Sequence, residues 1–393
     1  MIKWLTLLLI LPIGLFAQTE YYFSFDNFTV GGEAIETGDP EYDCGVSGNA
    51  IVLDGITARI NFTGAINNEF NQIDFSISFY FKPESFTGTQ DILSKLTNCT
   101  SENAFSIRYN PFNRTVNALL SENASKQVLL NGEISPDACW QHVAVVRDNN
   151  EFFLYINGAL SDQGLTSTRA DISNTAPLSI ADSPCVGATD VRFTGAIDEL
   201  RVYARALPKA EIAELYTKPD AIITKDTLLV LGDEVNIEIS NTCVGNFQWS
   251  PVEGVADPKD PTTTITPPIA GDLAYYLEFQ GETCTARDSI IIRVVSPEEL
   301  NCSELFLPNA FTPNGDNTND TYGISNPFVV EDLVSFEIFD RWGNRVFQTD
   351  DPRGRWDGTY SNELVNPGVL LYRIVYNCRD EELTHTGSVT LLR

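Results

Sequence analysis

Hydrophobic and polar residues alternate with a period of two along much of the chain. The run 75–81 places Phe, Ile, Phe and Phe at every second position, and the runs 142–146 and 152–156 are rich in β-branched and aromatic residues. Successive side chains of a strand point to opposite faces, so this alternation predicts half-buried β-strands. Asn157-Gly158 follows the last run and predicts a type I′ hairpin turn, which needs positive φ at both central positions. Repeated strands of this kind favour an antiparallel sandwich.

The segment 208–216 has the pattern of a short helix instead. Pro208 suits the first turn of a helix, where its missing N–H costs nothing, and Ile212 and Leu215 fall on one side. A polar linker is predicted at 217–220. The preceding strands and this helix therefore form one unit that ends near residue 217.

Two smaller β-rich segments are predicted after the linker. In the first, Val235, Ile237 and Ile239 alternate with polar residues, and several prolines punctuate the chain. This segment resembles a small immunoglobulin-like or PKD-like sandwich. In the last segment, strands are predicted at 334–340, 345–347, 371–376 and 388–392, with a turn at 341–344. The whole chain is thus predicted to be all-β, with a large sandwich followed by two smaller immunoglobulin-like sandwiches.

The N-terminus has the features of an export signal. Lys3 precedes the apolar run 4–16, and small residues surround Ala17. The run is shorter than the ~20 apolar residues that span a bilayer, which favours a cleaved signal peptide over residues 1–17. An N-terminal membrane anchor is the alternative. No later run reaches ~18 apolar residues, so no transmembrane span is expected in the mature chain.

Charge and histidine content narrow the classes of function. The chain carries 54 Asp and Glu against 25 Lys and Arg, a formal charge of −29. Without a basic stripe, nucleic-acid binding through phosphates is not expected. His142 and His385 are the two histidines of the sequence, which leaves little for zinc sites or histidine-based general-base chemistry.

The eight cysteines indicate disulfides in an exported chain. No CxxC pair occurs, and their number is even. Grouping them by segment predicts Cys243–Cys284 in the middle segment and Cys302–Cys378 in the last one. Within the first segment, the corresponding expectation is Cys99–Cys139 together with Cys44–Cys185.

Motifs of the first 200 residues, in their order along the chain, resemble a known family. The run 193–207 (FTGAIDELRVYARAL) continues into the helix 211–216, and the runs 48–55 and 154–158 precede it. Together they resemble concanavalin A-like, laminin-G-type jelly-roll domains. The resemblance implies two packed sheets whose rim loops or concave face bind glycans or proteins, in some members with Ca²⁺.

The last 90 residues resemble a second family. The runs 307–320, 338–347, 356–358 and 387–393 are similar to the gliding-motility-associated C-terminal domain, the type B sorting domain of the Bacteroidota type IX secretion system. Asn317 stands where the family usually has Gly, and Asn also tolerates positive φ. The resemblance implies export to the periplasm and then through the outer membrane of a Gram-negative bacterium, with the outer-membrane translocon as partner.

The expected organisation combines these predictions. Residues 1–17 are the signal peptide, 18–217 the laminin-G/concanavalin A-like domain, 218–299 an Ig/PKD-like domain, and 300–393 the type B sorting domain. A secreted or cell-surface location follows from the first and last parts. The middle domain is expected to act as a spacer.

Two acidic sites are candidates for structural Ca²⁺. Asn314, Asp316 and Asp320 supply oxygen ligands in the 314–320 loop, although the loop lacks the Gly and Glu positions of an EF-hand. Asx turns explain the same composition. Asp198 either orders a neighbouring turn or helps to hold Ca²⁺ with Asp26. No other cofactor is expected.

Catalytic constellations are not expected from the sequence. Asp198 and Glu199 are adjacent in a predicted strand and would point to opposite faces, so they could not flank one glycosidic bond. No E-x-D-x-x-E, G-x-S-x-G or P-loop motif occurs. His142 lies within a predicted strand, where a packed histidine is the simpler interpretation.

A binding function needs no nucleophile, because sugar rings stack on aromatic faces while amides and charged groups bind their hydroxyls. The candidate ligand-binding residues of the first domain are Tyr80, Arg108, Tyr109, Asn110, Phe112 and Asn113. The sequence therefore predicts an exported, non-catalytic glycan-binding or adhesion protein. The alternatives are a secreted polysaccharide-acting enzyme resembling a glycoside hydrolase, and a protein-binding adhesin or gliding component.

Overall fold

A computed structural model describes most of the chain. The described residues are 20–26, 33–71, 73–296, 304–314, 319–330, 332–361, 363–378 and 381–392. The predicted signal peptide lies outside them. The chain forms two compact units: the first contains residues up to 225 together with 236–264 and 275–290, and the second contains 226–235, 265–274 and the residues from 291 onward. The predicted domain boundaries stay predictions.

Sixteen described strands and one α-helix make up the jelly-roll part of the first unit. The strands are β1 (Glu20–Phe23), β2 (Ala34–Thr37), β3 (Glu41–Cys44), β4 (Asn49–Asp54), β5 (Arg59–Phe62), β6 (Phe75–Pro83), β7 (Gln90–Lys95), β8 (Ala104–Asn110), β9 (Thr115–Asn123), β10 (Lys126–Glu133), β11 (Gln141–Asp148), β12 (Glu151–Ile156), β13 (Ala159–Leu165), β14 (Ser179–Ile180), β15 (Val191–Arg192) and β16 (Thr194–Tyr203). The helix α1 spans Lys209–Leu215, and a 3-10 helix spans Gly64–Asn68.

These strands form two eight-stranded sheets. Sheet A has the order β13-β12-β11-β6-β16-β4-β3, with β1 paired to β16; sheet B has the order β10-β9-β8-β7-β14-β5-β2, with β15 paired to β7. The core lies between them. The alternating side chains of 75–81 that face sheet B are fully buried, and Phe75 lies 5.6 Å from Phe105 of β8 between ring centroids. The predicted all-β jelly roll is confirmed, but the strand at 75–81 is buried on both faces and not on one face alone, as its alternation predicted.

The local predictions of the first segment agree with the structure. Asn157 and Gly158 have φ of 50° and 74°, and they join β12 to β13 through the pair Ile156↔Ala159. The helix begins directly after Pro208 and buries Ile212. Among the described residues, no helix combines the length and the hydropathy needed to cross a membrane.

The face of sheet A that points away from the core is also covered, and it buries polar groups. Ser78 Oγ lies 2.8 Å from His142 Nε2, and both residues are almost fully buried. The hydroxyl of Tyr80 accepts a hydrogen bond from Thr217 N and donates to the carbonyl groups at the end of α1. Burial lowers the pKa of His142 to about 3, so this histidine is neutral in the folded chain.

Six strands follow α1, namely β17 (Thr227–Val230), β18 (Val235–Asn236), β19 (Asn246–Ser250), β20 (Thr264–Ile265), β21 (Gly271–Gln280) and β22 (Thr285–Val295). In the first unit, β19 pairs antiparallel with β21 from Asn246↔Gln280 to Ser250↔Tyr276. The strand expected over 235–239 is shorter than predicted, because Ile237 N donates to the Thr263 carbonyl and Ile239 forms an isolated bridge with Ile222. The immunoglobulin-like architecture of this segment stays a prediction.

Disulfides fasten the middle segment to the jelly roll, which corrects the expected pairing. Among the described residues, Cys44–Cys243 and Cys139–Cys284 join the two parts, and Cys99–Cys185 lies within the jelly roll. The predicted pairs Cys243–Cys284, Cys99–Cys139 and Cys44–Cys185 are therefore wrong. Grouping cysteines by segment failed because the middle segment packs directly on the jelly roll, where Arg287 N also donates to the Asp137 carbonyl at 2.9 Å. Cys302 lies outside the described residues, so Cys302–Cys378 stays a prediction.

The second unit holds the last seven strands, β23 (Ala310–Phe311), β24 (Asp332–Phe339), β25 (Arg345–Thr349), β26 (Thr359–Tyr360), β27 (Glu363–Leu364), β28 (Gly368–Cys378) and β29 (Glu381–Leu391), with a 3-10 helix at Pro327–Val329. Five of them form a sheet in the order β23-β29-β28-β24-β25. Its core contains Phe311, Tyr322, Phe336 and Trp356. In the same unit, β17 runs parallel to β22.

We expect disulfide mapping to separate the two pairing schemes. Proteolysis without reduction should release cross-linked peptides that join Cys44 to Cys243 and Cys139 to Cys284. Replacing both Cys139 and Cys284 by Ser should lower the free energy of unfolding by about 2–5 kcal/mol, because it frees a long loop of the unfolded chain. A peptide that joins Cys243 to Cys284 would contradict the fold described here.

The buried His142 gives a pH prediction. The unfolded chain binds a proton at this residue below about pH 6.5, whereas the folded chain does not until about pH 3, so stability falls as the pH drops through this window. Between about pH 6.5 and 4.5, the unfolding free energy of the wild type should fall by about 2 kcal/mol relative to that of His142→Gln. Urea titrations at both pH values measure this difference.

Comparing the wild type with His142→Gln cancels the pH dependence of stability that comes from two buried carboxyl groups. Burial raises the pKa of Asp91 and of Asp198 to about 7, so both bind protons in the folded chain and favour folding as the pH falls from 7 towards 4. Both proteins retain these carboxyl groups, and their contribution cancels in the difference. If the difference in unfolding free energy between the wild type and His142→Gln were the same at both pH values, His142 would be protonated in the folded state.

Candidate functional site

A cleft of about 750 Å³ lies in the first unit, between the jelly roll and the two cysteine-bearing loops of the middle segment. We call it the disulfide cleft, because Cys44–Cys243 and Cys139–Cys284 both line it. One wall comes from β3, from the end of β6 and from Trp140 just before β11. The other wall comes from residues 243–246 and 280–284. The volume is in the range of pockets that bind small molecules.

Trp140 is the main aromatic residue of the cleft. It packs against Val46, Ala50 and Ala196, and only 3% of its surface is exposed. Lys82 Nζ lies 5.5 Å from the centroid of its ring. Because so little of its surface is exposed, Trp140 is a packed part of the cleft wall.

Tyr42 adds a second ring on β3. Its hydroxyl donates to Glu36 Oε1 at 2.8 Å, and the ring is partly exposed. Asn246 and Gln280 add amide groups from the opposite wall, where their backbones pair in the β19–β21 ladder. Aromatic rings beside amides and charged groups form the kind of surface that orients polar ligands.

The cleft is strongly acidic. Five carboxylates line it, against the single ammonium group of Lys82; they are Glu41, Asp43, Glu84, Asp220 and Glu282. Lys82 Nζ is 3.6 Å from Glu84 Oε1, so part of its charge is already balanced. Asp220 is 7% exposed, and burial raises its pKa, while a hydrogen bond from Thr242 and the charge of Lys82 act in the opposite direction.

A smaller cavity of about 300 Å³ in the same unit is lined by Glu199 and Arg201. The register of β16 shifts between Asp198 and Arg201, and Glu199 has φ of 53°, so the regular alternation assumed for Asp198 and Glu199 does not hold. Glu199 accepts hydrogen bonds from Tyr22 at 2.6 Å and from Arg201 at 2.7 Å. These contacts engage both of its oxygens and hold Glu199 in place at the cavity wall.

Asp198 orders a turn, as one of the two interpretations of the sequence proposed. Its carboxylate accepts from Ser47 N at 3.2 Å and from Glu199 N at 2.8 Å. Asp26 Oδ1 accepts from Asn49 N at 3.0 Å, so the two carboxylates hold neighbouring parts of one loop. Among the described residues, no group of three or more His, Cys, Asp or Glu side chains could hold a metal ion.

The second acidic candidate lies in the last segment. Asn314 N donates to Asp320 Oδ1 at 2.9 Å, and Thr312 N donates to the Asn319 carbonyl. Asp316 falls outside the described residues. The contacts that are described are those of an Asx-type loop, and calcium binding at either candidate stays a prediction.

The ligand residues predicted from the sequence do not form one site. Tyr80 and Tyr109 are 2% and 3% exposed, so the expectation of exposed rings at these positions is wrong. The sequence does not show which face of its sheet each tyrosine occupies. In the structure, Tyr109 lies in the core and Tyr80 lies beneath α1. Arg108 Nε lies 2.9 Å from Asp190 Oδ2, a nearly buried carboxylate.

The β8–β9 loop holds the other predicted residues. Asn110 Oδ1 accepts from Phe112 N at 3.0 Å, and Asn113 Oδ1 accepts from Thr115 Oγ1 at 2.7 Å. Both amides therefore stabilise the turn. Phe112 itself is 97% exposed at the tip of this loop.

The Ser78–His142 contact lacks the other parts of a nucleophilic site. The ring nitrogen Nδ1 of His142 is buried and has no hydrogen-bond partner, so no carboxylate orients it. Ser78 is 2% exposed and cannot reach a substrate in solvent. This pair packs within the sheet A face, as the sequence interpretation of His142 expected.

The sequence offered one overlooked signal for the cleft. Trp140 follows Cys139 directly, and Tyr42 lies two residues before Cys44. Had the cysteines been paired across the linker 217–220, these two rings would have been placed next to the loops at 243–246 and 280–284. The error in the disulfide pairing therefore also concealed the cleft.

Comparisons with known proteins agree with the fold. Residues 54–213 match the family model of the Concanavalin A-like lectin/glucanases superfamily, and residues 305–391 match that of the CHU_C Type IX secretion signal domain. No curated protein matches the sequence.

Several solved structures are similar to parts of the chain. Domain 4 of the arabinanase AbnA from Geobacillus stearothermophilus is 23% identical, with a TM-score of 0.38, over 50% of this chain and 97% of that one. The CBM40 of the IT-sialidase from Ruminococcus gnavus is 19% identical, with a TM-score of 0.36, over 47% and 97%. The structure entitled "Crystal structure of botulinum neurotoxin serotype D/C VPI 5993 binding domain" is 11% identical, with a TM-score of 0.44, over 94% and 92%. The two family matches show that the chain contains a concanavalin A-like domain and a type IX secretion signal domain, as the motifs in its sequence predict.

Proposed function

We propose that this chain is a non-catalytic carbohydrate-binding protein of the bacterial cell surface, and that its ligand lies in the disulfide cleft. The observation that carries the proposal is the cleft of about 750 Å³, which the partly exposed ring of Tyr42 lines together with the amide groups of Asn246 and Gln280. A flat apolar ring beside hydrogen-bonding groups suits the C–H face and the hydroxyl groups of a sugar.

Export supports a ligand outside the cell. The type IX secretion signal domain indicates secretion or a cell-surface location. The proposed route leads through the periplasm and across the outer membrane, with the type IX translocon as the partner. Disulfides in the first unit suit this route, because such bonds form and persist in oxidising compartments.

The arrangement of the acidic groups favours binding over catalysis. A glycosidase needs a protonated carboxyl group on one side of the scissile bond and a second carboxylate on the other. Burial raises the pKa of Asp220, but only 7% of this residue is exposed, so its carboxyl group has little access to a bound substrate. Ser78 and His142 are closed to solvent.

Replacing Tyr42 tests the ligand site. Tyr42→Ala should abolish the binding of the full chain to any sugar that a glycan array detects, because the partly exposed ring that lines the cleft is lost. Phe112→Ala, at the 97% exposed tip of the β8–β9 loop, is the matched aromatic control and should bind normally. Circular dichroism checks that both variants are folded. Loss of binding in Phe112→Ala alone would assign the site to the loop that the sequence predicts.

Deleting residues 300–393 tests export. The truncated protein should accumulate in the periplasm, because the secretion signal domain at 305–391 is missing. Fractionation and immunoblotting locate the product, and a periplasmic marker protein controls for lysis. Appearance of the truncated protein in the medium or on the cell surface would contradict a sorting role.

Asp220 supports a second candidate, a polysaccharide-acting enzyme. Its buried carboxyl lies in an acidic cleft, and burial raises its pKa as in many general acids. This candidate requires that the full chain releases reducing ends from a bound glycan and that Asp220→Asn stops the release while binding persists. The proposed binding function expects no release from either protein.

A further inference from the structure

We propose that one face of the five-stranded sheet in the second unit is the surface by which the export translocon contacts this chain, and that the translocon presents apolar side chains and carboxylates to it. The inference rests on the proposed export, since it names the part of the secretion signal domain that is contacted. We call this surface the outer face, and its residues are Glu337, Arg345, Val369, Leu371, Arg373 and Ser388.

The pleat of β28 separates the outer face from the core of the unit. Leu370 and Ile374 belong to that core. Because successive side chains of a strand point to opposite faces, Val369, Leu371 and Arg373 point outward. The outer face therefore runs along the central strand of the sheet, with β29 on one side and β24 on the other.

The register extends this face to the neighbouring strands. Leu371 pairs with Ser388 of β29, and Arg373 pairs with Glu337 of β24. Arg345 of β25 lies on the same side, because its guanidinium reaches the Glu337 carboxylate. Four strands thus contribute side chains to one continuous surface.

Apolar side chains lie uncovered on the outer face. Val369 and Leu371 are 59% and 57% exposed, and they are neighbours on the same side of β28. Leu371 also pairs with Phe339, the last residue of β24, and the turn that follows carries Trp342, which is 82% exposed. A sheet face in water carries polar side chains, whereas adjacent exposed apolar ones mark an interaction site.

Two arginines border these apolar side chains. Glu337 is 5% exposed and accepts hydrogen bonds from Arg345 at 2.7 Å and from Arg373 at 2.6 Å. About half of each arginine side chain stays exposed. Two guanidinium groups against one carboxylate give this cluster a formal charge of +1, in a chain whose formal charge is −29.

The charges indicate the chemistry of the partner. A basic partner would be attracted to many parts of so acidic a chain, whereas an acidic partner is repelled except where arginines project. Guanidinium groups bind carboxylates in a fixed, bidentate geometry. A partner with carboxylates around an apolar patch would therefore bind at the outer face and in one orientation.

The match of this segment to a secretion signal indicates which partner this is. Residues 305–391 match the model of a type IX secretion signal domain, and the outer face lies within them. A secretion signal acts only when the machinery that exports it makes contact with it. The occupant of the outer face is therefore the translocon in the outer membrane.

The first test removes the apolar side chains and keeps the strand. The full chain with Val369→Thr and Leu371→Thr retains good strand formers at both positions. Its ratio of extracellular to periplasmic protein should fall by about tenfold, because central apolar contacts dominate an interface. Leu364→Thr is the matched control, since Leu364 is 65% exposed in the separate β26–β27 sheet, and it should be exported normally.

The second test examines the sign of the partner's charge. Ser388 is exposed beside Leu371, so Ser388→Glu and Ser388→Lys place opposite charges at one point of the outer face. Ser388→Glu should lower the export ratio by about tenfold, because it repels the partner's carboxylates, whereas Ser388→Lys should not lower it. An equal loss in both variants, or a loss in Ser388→Lys alone, would overturn the acidic partner.

The outcomes separate this inference from the export function on which it rests. Urea unfolding of the purified variants should give the wild-type midpoint, which excludes loss of export through misfolding. Retention of the chain that lacks residues 300–393, with normal export of the Val369→Thr/Leu371→Thr chain, would keep the sorting role and overturn the outer face. Appearance of the truncated chain outside the cell would overturn both.

Sedimentation velocity of the full chain examines a second copy as the occupant. The account expects the same sedimentation coefficient for the wild type and for the Val369→Thr/Leu371→Thr variant. A wild-type dimer that this variant loses, with its export unchanged, would assign the outer face to self-association and overturn the inference.

Discussion

Two covalent cross-links between the jelly roll and the middle segment are the constraint on which the described site depends. Cys44–Cys243 and Cys139–Cys284 join the loops at 243–246 and 280–284 to β3 and to the residue before Trp140, and the described polar contacts nearby include the hydrogen bond from Arg287 N to the Asp137 carbonyl. Surface ion pairs and single hydrogen bonds contribute about 1 kcal/mol or less each, so they would not fix two loops in place. The disulfides turn two neighbouring β-structures into the two walls of one cleft.

The jelly roll provides a rigid frame for this arrangement. Its two sheets bury a continuous apolar core, and the outward face of sheet A is closed by α1 and the residues after it. The Tyr80 hydroxyl contacts the end of the helix and the chain just after it, since it donates to the Leu215 carbonyl and accepts from Thr217 N. The middle segment therefore starts from a residue that is hydrogen-bonded to sheet A.

Sequence patterns predicted the parts of the fold that depend on neighbouring residues. The strand at 75–81, the Asn157-Gly158 turn and the helix after Pro208 are each set by local rules, and the structure confirms them. The motifs that resemble the two families also identified both domains. The orientation of Tyr80 and Tyr109 depends on what covers each sheet face, which no local pattern shows.

Contacts between residues that are far apart in the chain could not be predicted from the sequence, for a physical reason. Cysteine pairing is decided by which surfaces pack together, and the expectation that each segment closes its own disulfides assumed that the segments do not touch. Trp140 and Glu282 are 142 positions apart in the chain, and only the packing of the middle segment brings both into the cleft. The β16 bulge likewise displaced Glu199 from the strand alternation that had been assumed.

The central claim is that both walls of the disulfide cleft contact one sugar ligand. A crystal structure of the full chain soaked with an oligosaccharide that it binds tests this most directly. The account predicts a sugar ring stacked on Tyr42 of β3, with further contacts from residues 280–284. A sugar bound instead at the β8–β9 loop, or on the jelly roll without contact to the middle segment, would contradict it.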